Sequence, residues 1–104
     1  MPLRGFQRKY LRGLAHHLKP VVMVGHQGLT EGVFEAIDTA LDDHELIKVR
    51  FQDHKAEKHE LAGTIASTAK AELVGLLGNT AILYRSHSDP DRRRIDLPDE
   101  RTGL

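Results

Sequence analysis

The chain contains no cysteine and no tryptophan among its 104 residues. Without cysteine there are no disulfides, thiolate metal sites or thiol nucleophiles, and the composition fits a reducing compartment, so a cytoplasmic protein is expected. Aromatic residues are few: Phe6, Tyr10, Phe34, Phe51 and Tyr84. None pairs with another at alternate strand positions, so recognition by rings stacked under bases is not expected. No apolar run approaches the roughly 20 residues of a membrane span. The N-terminal MPLRGFQRKYLRG is basic but has neither the apolar stretch nor the cleavage site of a signal peptide. The Walker loop, G-x-S-x-G and G-x-G-x-x-G motifs are missing as well. His59-Glu60-Leu61-Ala62-Gly63 begins like the zinc-helix motif but has Gly63 where the second histidine must stand. The expectation is a soluble protein that is not an enzyme, with no catalytic residues, metal or cofactor, no small-molecule substrate and no membrane partner.

Net charge is zero, with 15 basic and 15 acidic residues. Their distribution is uneven. Residues 1–30 carry Arg4, Arg8, Lys9, Arg12 and Lys19 and no acid, whereas residues 31–45 carry Glu31, Glu35, Asp38, Asp42, Asp43 and Glu45 and no Lys or Arg. A polyanion responds to the field at one face more than to the total charge.

Apolar spacing places a helix over Leu3–Leu18, with Tyr10, Leu11, Leu14, Ala15 and Leu18 on its core side and Pro20 as its stop. Arg8, Arg12, His16 and Lys19 fall on another side. The unbroken Val21–Val24 run reads as a strand buried on both faces. A second helix spans about Glu31–Asp43, with Val33, Ala36, Ile37, Ala40 and Leu41 inward and an acidic stripe outward. Leu46–Phe51 alternates, with Ile47, Val49 and Phe51 on one face and Lys48 and Arg50 on the other. A third helix is predicted over Ala56–Leu77 and ends at Gly78. Strands at Thr80–Arg85 and Arg94–Leu97 follow, joined by a polar, mobile hairpin loop at Ser86–Arg93. The loop arginines Arg92–Arg94 sit among Asp89, Asp91 and Asp96 and are read as salt-bridged. The order α-β-α-β-α-β-β predicts an α/β (α+β) two-layer sandwich with a mixed sheet of about four strands. Residues 1–98 form one domain, and 99–104 form a short tail.

Between the first strand and the second helix stands Gly25-His26-Gln27-Gly28, with Thr30 placed to cap the helix and Glu31 in its first turn. Strand, G-x-x-G turn and helix start in that order let a polyanion backbone approach protein N–H groups. Lys19 and Arg12 lead toward this loop, and Lys48 and Arg50 add cations on the open sheet face. Arg85 closes its strand after Tyr84 and can pair with phosphate.

The chain resembles the CRM domain (chloroplast RNA splicing and ribosome maturation), above all its stand-alone bacterial form, the YhbY family. The residues that carry the resemblance are Leu11-Arg12-Gly13-Leu14-Ala15-His16, Leu18-Lys19-Pro20-Val21-Val22 and Gly25-His26-Gln27-Gly28-Leu29-Thr30-Glu31-Gly32-Val33. His44-Glu45-Leu46-Ile47-Lys48-Val49 and Gly78-Asn79-Thr80 with Leu83-Tyr84-Arg85 continue it, so that it covers about residues 8–98. The resemblance implies a fold similar to the C-terminal domain of translation initiation factor 3. It further implies binding of structured RNA, with the large ribosomal subunit precursor as target, through a loop similar to the G-x-x-G of KH domains. Carried over residue by residue, Gly25, His26, Gln27 and Gly28 take the loop role, and Lys19, Lys48, Arg50 and Arg85 the basic surface. Two readings of other classes stand beside it. One is a protein-interaction module working through the acidic second helix, and the other is a small nucleotide- or metabolite-binding enzyme subunit. A monomer is expected.

Overall fold

The computed structural model describes residues 3–99. Along the chain lie α1 (Gly5–Ala15), β1 (Val22–Val24), α2 (Glu31–His44), β2 (Leu46–Phe51), α3 (Lys58–Ala69), β3 (Glu72–Leu77) and β4 (Thr80–Tyr84). Short 3-10 turns occupy Lys55–Glu57 and Pro90–Arg92. The four strands form one mixed sheet in the order β1-β2-β4-β3. β1 runs parallel to β2, and the other two pairings are antiparallel. The α/β (α+β) expectation with a four-stranded mixed sheet is met. Among the described residues no helix is long and apolar enough to cross a membrane. Residues 100–104, most of the expected tail, lie outside the described residues.

Strand alternation divides the core in two. Ile47, Val49 and Phe51 of β2 and Ala81 and Leu83 of β4 point toward α2 and α3, where they meet Ile37, Leu41, Ile65 and Ala66. The intervening Leu46, Ile82 and Tyr84 point the other way and meet Leu3, Leu11 and Ala15 beside α1. α1 therefore adds a partial layer on the face opposite α2 and α3, touching β2, β3 and β4. It does not reach across the whole sheet. Met23, Arg50 and Leu77 stay exposed on the remaining half, with Lys48 and Thr80 partly so.

Several expectations need correction. α1 ends at Ala15, before Pro20, and Tyr10, Leu14 and Leu18 are left exposed. β1 is an edge strand open on one face, because no helix lies over Met23. In α2, Phe34 turns inward and Ala36 outward. The largest difference follows α3. Instead of continuing to Leu77, the helix stops at Ala69, with Lys70 in the left-handed region at φ 55° and the Ala71 N–H returning to the Ala66 carbonyl at 2.9 Å. The next residues form β3, and Gly78, at φ 57°, turns a two-residue hairpin rather than ending a helix.

Arg94–Leu97 is not a strand, nor is Ser86–Arg93 a hairpin loop. This segment is gathered by Glu45, which stands at the end of α2 and is 1% exposed. Its carboxylate accepts from the backbone N–H groups of His87 (2.7 Å), Arg94 (2.6 Å) and Ile95 (3.0 Å). Burial raises the pKa of Glu45, but the three N–H bonds and the nearby His87 together hold it below its ordinary value. Within the segment, Arg93 donates to the His87 carbonyl and Asp89 caps the 3-10 turn by accepting from Asp91 N–H, so backbone contacts do the work expected of ion pairs.

Candidate nucleic-acid interface

The Gly25–Gly28 segment forms a tight turn closed by a 3.0 Å bond from Gly28 N–H to the Gly25 carbonyl. Gly28 adopts φ +73°, a conformation that glycine reaches without the Cβ penalty. Directly after it, Thr30 caps α2 as expected, its hydroxyl accepting from Val33 N–H at 3.1 Å. The first helical bond runs from Phe34 N–H to the Thr30 carbonyl, so the N–H groups of Glu31 and Gly32 precede the helical ladder. They point out of the positive end of the helix dipole.

A second loop braces this turn. The Gln52 and Asp53 N–H groups both bond to the Val24 carbonyl, at 2.9 and 3.3 Å. The His54 ring contacts the His26 carbonyl at 2.8 Å, and the His26 ring meets Asp53 at 3.2 Å. Asp53 is held below its ordinary carboxylate pKa, first by the N–H of His54 and then by His26. Sequence reasoning assigns neither His54 nor Asp53 to this site. Both lie beyond the end of β2, and only the parallel β1–β2 pairing brings them to the turn.

The expected cations divide into two groups. Lys48 and Arg50 stand on β2, where Lys48 Nζ donates to the Leu18 carbonyl at 3.0 Å and Arg50 pairs in register with Met23, whereas Lys19 precedes β1 and lines a separate hollow with Leu14, Val21, His44 and Leu46 by the start of β2. Arg12 approaches from α1 over β3. A Cβ added at Gly75 would stand 3.3 Å from Arg12 Cδ, so the missing side chain makes room for the Arg12 stem. Among the described residues, no hydrogen bond or ion pair holds Arg12, Lys19 or Arg50. Pro20, Lys48, Arg50, Leu77, Thr80 and Ile82 line a shallow groove on this half-sheet.

Arg85 is not part of that surface. Its guanidinium bonds Asp38 at 2.6 Å, Asp42 at 3.0 Å and the Ala69 carbonyl at 2.7 Å, joining α2 to the end of α3. Two members of the acidic α2 stripe are thereby engaged within the fold. The sheet order explains the split: Arg85 follows β4 at the end of the sheet remote from Gly25–Gly28, next to the start of β2.

A family model for the CRS1/YhbY (CRM) domain matches residues 3–85. The chain belongs to this family. A Haemophilus influenzae RNA-binding protein is 44% identical over 93 residues, covering 88% of this chain and 91% of that protein. A Bacillus subtilis relative, named probable RNA-binding protein YqeI, is 35% identical over 97 residues, covering 92% of this chain and 99% of that protein. The solution structure of a Staphylococcus aureus protein, described as a hypothetical protein and candidate RNA binder, superimposes with a TM-score of 0.78 at 37% identity, covering 92% of this chain and 99% of that one. The family match contains the Gly25–Gly28 turn and the cationic half-sheet. The segment gathered by Glu45 lies beyond residue 85, outside the matched part of the CRM domain.

Proposed function

We propose that this CRM domain is a cytoplasmic, monomeric RNA-binding protein that assists assembly of the large ribosomal subunit. RNA-binding names among its relatives support the partner class. The observation that carries the reading is the join between the Gly25–Gly28 turn and the half-sheet bearing Lys48 and Arg50. A phosphate docks at Gly25–Gly28 and the start of α2, with His26 and Gln27 exposed as further donors. Lys19, Lys48, Arg50 and Arg12 neutralise neighbouring phosphates. The action is electrostatic and non-catalytic, and the working unit is the single domain over residues 1–98. Arg85 is left out of this surface because Asp38 and Asp42 hold it.

Contact with four to six phosphates gives a slope of log affinity against log salt of roughly −3 to −5. Filter binding across a salt series measures it, and a flat response rejects the mechanism. In-cell crosslinking with sequencing of the bound RNA tests the target. Enrichment of one large-subunit region, lost when Gly25, Gly28, Lys48 and Arg50 are altered together, supports the reading. Recovery of a protein partner and no RNA overturns it.

A further inference from the structure

The open half-sheet carries more than charge. Strand register places Met23 of β1 beside Arg50 of β2, Arg50 beside Thr80 of β4, and Thr80 beside Leu77 of β3. These four side chains form one row across all four strands, on the face opposite α2 and α3. With strands about 4.8 Å apart, the row spans about 14 Å. Its ends are aliphatic and uncovered, Met23 being 43% and Leu77 62% exposed. Its middle offers a guanidinium, unpartnered among the described residues, and a hydroxyl. Phosphate binding needs only the cations and leaves the two exposed aliphatic groups unexplained. Apolar ends around a planar cation and a hydroxyl do match an unpaired nucleotide, whose base takes an apolar or guanidinium surface while its sugar and edges take a hydrogen bond. Two residues after Met23 the chain enters the Gly25–Gly28 turn, so one strand of RNA can follow both.

We propose that the row Met23–Arg50–Thr80–Leu77 seats unpaired nucleotides, so that the RNA taken is a loop or junction with splayed bases and not a uniform duplex. This rests on the RNA-binding reading above. It departs from the expectation drawn from the scarcity of aromatic residues, because aliphatic side chains and an arginine plane take the place of rings.

The test compares a hairpin RNA bearing an unpaired loop with a blunt duplex of the same stem, using fluorescence anisotropy on the whole protein. The wild type is expected to favour the loop by about tenfold, the scale of one base contact. Met23→Ser with Leu77→Ser is expected to remove most of that preference while duplex binding stays the same. Both sites are exposed, and an unchanged melting curve confirms the fold. Arg50→Lys keeps the charge but loses the plane, and is expected to lower the preference several-fold. No loop preference in the wild type, preference undiminished in the double variant, or equal loss on both RNAs overturns the nucleotide seat alone. Failure of the wild type to bind either RNA overturns the RNA-binding reading and the seat with it.

Discussion

Gly28 lies at φ +73°, and a Cβ added there would stand 3.7 Å from the His54 ring, whereas a Cβ at Gly25 meets nothing within 4 Å. Gly28→Ala is therefore expected to cost about 1–2 kcal/mol of folding stability through left-handed backbone strain. Gly25→Ala is expected to leave stability unchanged and to weaken RNA binding only, by crowding the approach of a phosphate. Urea unfolding and anisotropy on the two variants separate these effects. Glu45 gives a second residue-scale prediction. Its folded pKa is depressed, so its stabilising contribution is present above its ordinary value of 4.5 and is lost as pH falls through the lower folded value. Glu45→Gln is expected to lower stability by about 1–3 kcal/mol at neutral pH, because an amide cannot accept from three N–H groups as a carboxylate does. The difference from wild type should narrow in acid, where Glu45 itself becomes protonated. A gap independent of pH between 7 and 3 would mean that the N–H bonds are not the source.

Arg85 works between elements, tying α2 to the C-terminal end of α3 and leaving the Ala69 carbonyl without this donor if removed. Arg85→Gln is expected to destabilise the fold by about 1–2 kcal/mol with an unchanged salt slope for RNA. Arg50→Gln is expected to do the reverse, keeping stability and making the slope shallower by about 1. A salt series and a urea melt on both variants decide it. The elements themselves were unevenly readable. Thr30 and the glycines marked the start of α2, and strict alternation marked β2. β3 was hidden because Val74 is an extra residue in the ladder between Leu73 and Gly75. That bulge puts Leu73 and Leu76 on the same face at a spacing of three, a helical signature in a strand. The end of α3 was hidden too, since its left-handed residue is Lys70, with no glycine to announce it. The two-residue Gly78-Asn79 connection was the available hairpin signal.

Across the whole molecule, zero net charge is divided between faces. Glu31, Glu35 and Asp43 lie exposed on α2, and the sheet separates that layer from Lys48 and Arg50. Glu35→Lys is expected to change RNA affinity by no more than about twofold at 0.15 M salt, where screening acts over about 8 Å. Lys48→Glu, the same size of change on the other face, is expected to weaken binding by tenfold or more. Equal and opposite effects in a binding titration would show that total charge governs association. Local chemistry along the chain was enough to set the class of fold, the G-x-x-G turn with its capped helix and the cations of β2, because each depends on neighbours a few residues away. Sheet order and register fixed the rest. They joined Gln52–His54 to the turn, lined up Met23, Arg50, Thr80 and Leu77, and sent Arg85 to Asp38 and Asp42. Those partners are far apart in the chain, and side-chain periodicity carries no information about which strands lie side by side.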